Sequence, residues 1–153
     1  MQRIIQKLLL ISFEKHLKHS KSYQENFLER NMNWKNYEKE VHRYFSNMYP
    51  TATITYDAKL IGRYSKKERQ IDVLIEDDIA GFPFKLVVDA KLFSKKIDVK
   101  AVESFIAMLE DVEANQGLLI TQIGYSKAAI NRAFYGPQKL ELDVLNFDRG
   151  CPR

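Results

Sequence analysis

The segment RQIDVLIEDDIAGFPFKLVVDAKLF, residues 69–93, constrains the fold more than any other part of the chain. It holds two runs rich in Val, Ile, Leu and Phe, joined by EDDIAGFP, where Gly81 and Pro83 punctuate a turn. Two adjacent antiparallel strands are the expected result. Each run carries acid where a core strand should carry none. Asp72 sits in the first and Asp89 in the second, with Lys91 two residues further on. Alternate strand residues share a face, so Asp72 groups with Gln70 and Leu74, and Asp89 with Val87 and Lys91. A hairpin that turns near residues 80 and 81 sets position 72 opposite position 89. Opposed residues have Cβ atoms roughly 4.5–5.5 Å apart.

Two carboxylates that close repel unless a cation joins them or one takes up a proton. Lys91 supplies one cation, and a divalent metal is the natural second. Hard cations prefer oxygen, and Mg²⁺ keeps several waters while using one or two protein carboxylates. An ion held by Asp72 and Asp89 would leave room for a phosphate oxygen and for a water whose pKa it lowers. Lys91 is then placed to orient that water and to offset charge building on phosphorus. The alternative is a solvated sheet face, with Asp72 ending its strand and Asp89–Lys91 a weak surface pair. Spacing alone leaves both open.

The flanking sequence supplies the rest of a layered domain. NWKNYEKEVHRYFSNMYP reads as a helix with Asn33 as N-cap and Pro50 beyond its end. Trp34, Tyr37, Val41, Tyr44, Phe45 and Met48 follow helical spacing and are expected to pack on the core. Glu38 falls within that stripe, so its carboxylate is a further candidate to bind metal directly or through water; Glu40 points further away. TATITYDAKLIG alternates and is rich in β-branched residues, as a strand requires. A second helix begins from Asp98, with Val99, Val102, Phe105, Ile106, Leu109 and Val112 as its apolar stripe and Gly117 as its expected stop. LLIT reads as a buried strand, Ser126 as the cap of a third helix, and LELDVLNF as a last strand. The order α, β, β, β, α, β, α, β predicts an α/β domain with a mixed sheet covered by helices. Residues 1–33 are expected to form an N-terminal helical extension, with the main domain at residues 34–150.

At 153 residues the chain is long enough for one domain with a real core. No apolar run near the start approaches the roughly 18 residues of a membrane span, and no signal-peptide cleavage pattern is present. The only cysteine, Cys151, excludes a disulfide framework and a zinc cluster, so a reducing cytoplasm is the expected compartment. A net charge of +4 is compatible with a polyanionic partner.

Several basic and polar residues are candidates for that partner. Lys66, Lys67 and Arg69 crowd the turn before the first acidic strand, and Lys95, Lys96 and Lys100 follow the second. Phosphate contacts of this kind supply most non-specific affinity for DNA. Gln70 is a candidate to touch phosphate or water, and Gln122 to line the cleft. Lys127 and Arg132 read as surface charges, and His42, His16 and His19 as solvated helix residues rather than ligands. The aromatics Trp34, Tyr37, Tyr44 and Phe45 read as packing, not as a base-stacking platform.

From about Trp34 to Phe147, these motifs together resemble the PD-(D/E)xK nuclease superfamily, and within it the Mrr-like restriction endonuclease branch. YEKEV resembles the branch's first-helix acidic motif, with Glu38 at the acidic position; GRYSKKERQIDVLI resembles its loop and second strand, with Asp72 as the metal-binding Asp. VVDAK resembles the D-x-K element, with Asp89 as metal ligand and Lys91 as catalytic lysine; GLLITQIGYSKAAINRA resembles the closing strand and helix. Ile71 stands where the superfamily's name has proline, and Asp89 where many members have Glu or Gln. The resemblance implies a restriction-endonuclease-like αβββαβ core and Mg²⁺-dependent cleavage of DNA, with Mn²⁺ as a substitute ion. It also implies a metal ligand from the backbone carbonyl of Ala90. One site per chain and two strands to cut suggest a homodimer. Two other readings stay open: a nucleic-acid-binding module of the same fold without cleavage, and a repair or junction-resolving nuclease.

Overall fold

The structure is a computed structural model and describes residues 33–136 and 139–147. Expectations for residues 1–32, including His16 and His19, and for Cys151 lie outside the described residues. One compact unit spans Met32–Leu145; the other comprises Met1–Asn31 and Asn146–Arg153, of which only residues 146 and 147 are described.

The first unit runs α1 (Trp34–Met48), β1 (Thr53–Ile61), β2 (Glu68–Ile79), β3 (Phe82–Lys91), α2 (Val99–Asp111), β4 (Gln116–Thr121), α3 (Lys127–Tyr135) and β5 (Leu140–Val144). This is the order expected from sequence. The caps are those expected as well: Asn33, Asp98 and Ser126 each accept a hydrogen bond from the backbone N–H three residues on. The strands form one five-stranded sheet in the order β1-β2-β3-β4-β5. β1, β2 and β3 pair antiparallel, and β4 and β5 add on parallel. The sheet is therefore mixed, and the fold is α/β of the restriction-endonuclease-like kind.

The main core cluster joins the sheet, through Ile71, Leu74, Val87 and Leu119, to the apolar stripe of α2, Val102, Phe105, Ile106 and Leu109. Tyr37, Val41 and Phe45 of α1 are also buried, and the Tyr37 hydroxyl donates to the Leu145 carbonyl at 2.8 Å. Two expectations need correction. Trp34 is 53% exposed, because the apolar stripe of α1 runs past the surface that covers it; the Lys35 ammonium lies over its ring. Gly117 does not stop α2 but lies within β4. The left-handed residue after the helix is Glu113, with φ 54°, and Ala114 N–H closes back on the Leu109 carbonyl. Gly117 is small for packing: a Cβ there would stand 2.3 Å from Leu109 Cδ1.

The pairing between β2 and β3 sets up the site. It runs from Ile79↔Phe82 to Val73↔Val88 and ends there, whereas β1 and β2 stay paired to Ile61↔Glu68. At the end of the β2–β3 ladder the Ala90 N–H donates to the Asp72 carboxylate at 2.8 Å. A side chain thus satisfies the β3 backbone where β2 parts from it, as a buried N–H requires.

The β1–β2 turn, residues 62–67, is held by Asp111 at the end of α2. Its carboxylate accepts from Tyr64 N–H and Ser65 N–H at 2.9 Å, and from Ser65 Oγ and Arg69 Nε at 2.6 Å. These donors hold the Asp111 carboxyl well below the usual carboxylate range. Gly62 is required here, since a Cβ would come within 2.3 Å of the Asp111 carboxylate. Asp111→Ala is expected to lower Tm by about 5 °C, because it takes the shared acceptor from several part-buried donors at once. A thermal melt at neutral pH checks this, and an unchanged Tm would remove the anchoring role.

Candidate active site

β3 carries Asp89 and Lys91 to the point where β2 departs, and β2 carries Asp72 to the same point. Lys91 Nζ and Asp89 Oδ1 are 2.8 Å apart. Asp89 is only 8% exposed and Lys91 is half-buried. Burial pushes the Asp72 carboxyl up to about 8, and hydrogen bonding to Asp89 and repulsion from it add to the effect; the Ala90 N–H opposes it. Burial works against charge on Lys91, yet Asp89, Asp72 and Glu38 together raise its pKa above the ordinary lysine value. Near neutral pH the site therefore holds a firmly cationic lysine beside an Asp72 carboxyl that burial and the neighbouring Asp89 push toward its protonated form.

Glu38 faces this group from α1 and is 8% exposed. Burial raises its pKa; the Tyr56 hydroxyl and Lys91 oppose that, and Asp89 and Asp57 add to it. The Tyr56 hydroxyl donates to Glu38 Oε2 at 3.4 Å. Glu38 is thus electrostatically part of the site. Among the described residues, however, no three His, Cys, Asp or Glu side chains already form a metal-holding group. The donor set still suits a hard divalent cation, because it offers two hard-oxygen carboxyls whose mutual repulsion such a charge would relieve.

The sequence matches the Mrr_cat family model, described as restriction endonuclease, over residues 29–143. The chain belongs to this restriction endonuclease family. No curated protein sequence matches it. Among solved structures, one described as a protein of unknown function, AF1548, aligns at TM-score 0.59 and 20% identity, over 72% of this chain and 58% of that one. The DNA modification-dependent restriction endonuclease AspBHI aligns at 0.43 and 12% identity, over 75% of this chain and 34% of that one. The MspJI restriction endonuclease, solved in complex with a 27-mer oligonucleotide, aligns at 0.47 and 15%, over 88% of this chain and 28% of that one. The restriction-endonuclease-family chain thus spans 58% or less of the length of each of these structures.

The remaining candidates divide. Lys66 and Lys67 are exposed on the β1–β2 turn, and Lys95, Lys96 and Lys100 are exposed beyond β3. Arg69 is engaged by Asp111, and Gln70 Nε2 donates to Asp57 Oδ1 at 2.7 Å. Gln122 is half-buried just beyond β4. Arg132 pairs with Glu103 across α2 and α3 at 3.7 Å, and Lys127 is exposed. His42 packs edge-on against Tyr56.

Four residues of this neighbourhood escaped the reading from sequence. Tyr56 touches Glu38, and Asp57 takes a left-handed φ of 51° where the β1–β2 register skips positions 57 and 72. Thr121, the strand partner of Lys91, is fully buried with no hydrogen-bond partner for its hydroxyl. Asp111 anchors the basic turn. Only Asp57 carried a signal, as an acid inside an apolar strand.

Proposed function

We propose that this chain is a metal-dependent endonuclease that hydrolyses DNA phosphodiester bonds, of the restriction or defence type. The observation that carries the reading is half-buried Asp72 beside buried Asp89, with Lys91 bound to Asp89, in a member of a restriction endonuclease family. Asp72, Asp89 and the Ala90 carbonyl would hold a divalent ion, Mg²⁺ or Mn²⁺, with Glu38 as a further ligand from α1. That ion supplies charge neutralisation at the phosphate and acidifies the attacking water.

The chain's own groups do the rest. Lys91, kept cationic by three carboxyls, donates to the attacking water and offsets charge that builds on the phosphoryl oxygens. Asp89 fixes the direction of the Lys91 ammonium, and Tyr56 fixes Glu38. The DNA substrate is supported by the restriction endonuclease family to which the chain belongs. Duplex cleavage by one site per chain calls for a homodimer.

The test is nicking of supercoiled plasmid with Mg²⁺, Mn²⁺ or EDTA, by the parent and by Asp89→Ala. Cutting by the parent with either metal, and none with EDTA or with the variant, is expected. A folded parent that cuts no supercoiled, linear, branched or methylated DNA would overturn the reading in favour of a non-cleaving binding module.

A further inference from the structure

Thr121, the last residue of β4, pairs in register with Lys91, the last residue of β3. Residues paired in this way project to the same face of the sheet, here from strands about 4.8 Å apart. On the other side of Thr121 the register partner is Val144 of β5, and two residues back on the same face stands Leu119; both are apolar. The Tyr125 hydroxyl, in the core cluster that contains Leu119, lies against the Leu119 and Asp143 carbonyls. Thr121 is fully buried, and its hydroxyl has no hydrogen-bond partner among the described residues. Of these neighbours, Lys91 is the one with donors to spare. An ammonium has three, and Asp89 Oδ1 takes one at 2.8 Å.

A hydroxyl is a poor choice at a strand position that needs only packing. Valine has nearly the same shape, suits a strand as well and brings no polar atom out of water. Buried polar groups in native proteins are almost always partnered. Thr121 therefore points to an arrangement of the site other than the one in which Lys91 rests on Asp89. The donor chemistry supplies it. Asp89 holds Lys91, and it is also a ligand of the proposed ion. Once its oxygens face a divalent cation, the ammonium beside them is repelled. The lysine stem is long and flexible, so the ammonium can move to a neighbouring acceptor. The Thr121 hydroxyl is the acceptor next to it in the row, and it is uncommitted.

We propose that Thr121 is a positioning residue for Lys91: its hydroxyl accepts the ammonium that a divalent ion displaces from Asp89 and holds it toward the attacking water. One Lys91 donor is then fixed by Thr121, and two remain for the water and a phosphoryl oxygen. Asp89 is released to the ion without leaving a buried ammonium unpaired. This proposal rests on the nuclease reading above and adds a residue to its machinery.

The test is titration calorimetry of the full chain with Mn²⁺, without DNA, on the parent, Thr121→Val and Thr121→Ser, and on Lys91→Ala with and without Thr121→Val. Valine is expected to weaken Mn²⁺ binding by about tenfold, the scale of one hydrogen bond to a charged group, and serine, which keeps the hydroxyl, by no more than about threefold. In the Lys91→Ala background the valine change is expected to have no further effect, because the displaced ammonium is gone. At saturating Mn²⁺ and DNA, single-turnover cleavage by Thr121→Val should fall by about tenfold with DNA affinity unchanged. In EDTA Thr121→Val should melt no lower than the parent, since it removes a hydroxyl that has no partner. A clear drop in that melt would give the hydroxyl a partner other than the displaced ammonium and overturn the proposal. Parental Mn²⁺ affinity in Thr121→Val, serine as weak as valine, or a valine effect undiminished in Lys91→Ala would do the same. Any of these in a protein that still binds Mn²⁺ and nicks plasmid removes the role of Thr121 alone. A parent that neither binds Mn²⁺ nor nicks DNA takes the nuclease reading down with it.

Discussion

Replacing Lys91 by alanine is expected to slow DNA cleavage by about a thousandfold, the scale of losing one preorganised charge-stabilising donor, while the protein still binds Mn²⁺. The ammonium sits 2.8 Å from Asp89 and within electrostatic reach of Asp72 and Glu38. Removing it takes a cation away from the carboxyls that would hold the metal, so ion affinity should stay level or rise. Asp89→Ala is expected to behave differently, losing cleavage and Mn²⁺ affinity together. Single-turnover cleavage and titration calorimetry with Mn²⁺, run on both variants, separate the two roles. Parental cleavage by Lys91→Ala would remove the lysine from the chemistry. Loss of Mn²⁺ binding in that same variant would mean that it organises the carboxyls rather than acting on the phosphate.

What sequence made legible follows from which forces are local. The caps at Asn33, Asp98 and Ser126 were readable because each involves a side chain and an N–H three residues away. The arrival of Asp72 and Asp89 at one end of the β2–β3 ladder was readable because a tight turn at Ala80 and Gly81, both at positive φ, fixes the hairpin register. Asp57 lies in a different hairpin, at the point where the β1–β2 register skips positions 57 and 72, and the turn of that hairpin, residues 62–67, is irregular and stabilised from α2. No local rule gives that register, so an acid in β1 could not be placed beside the site. Asp111 was hidden for a related reason: its partners are more than 40 residues away in sequence. The exposure of Trp34 and the strand position of Gly117 were missed because helical periodicity does not say how far along a helix its packing surface extends, or whether a glycine is present for its φ or for its size.

The second large effect is expected from Asp72→Asn: cleavage is lost, and the metal-free protein becomes more stable at pH 8. The ordinary value for this carboxyl is 3.8, and in the fold it is pushed up to about 8, first by burial and then by Asp89. An acid whose pKa is raised by folding binds its proton more tightly in the native state. The stability it contributes is therefore fully present below about pH 4 and is lost as the pH rises toward 8. Asparagine does not titrate in this range. Its side-chain oxygen can still accept from the Ala90 N–H, and its amide can donate to Asp89, so repulsion is replaced by a hydrogen bond. Melts in EDTA should show the parent's Tm falling relative to the variant's between pH 4 and pH 8, by roughly 5 °C at the upper end. Saturating Mn²⁺ should reverse the order by stabilising the parent and doing little for the variant, because only a ligand that binds the native state raises Tm. A parent whose stability relative to the variant does not change across this range would show that the two carboxyls are not in conflict, and the case for a metal between them would lose its physical basis.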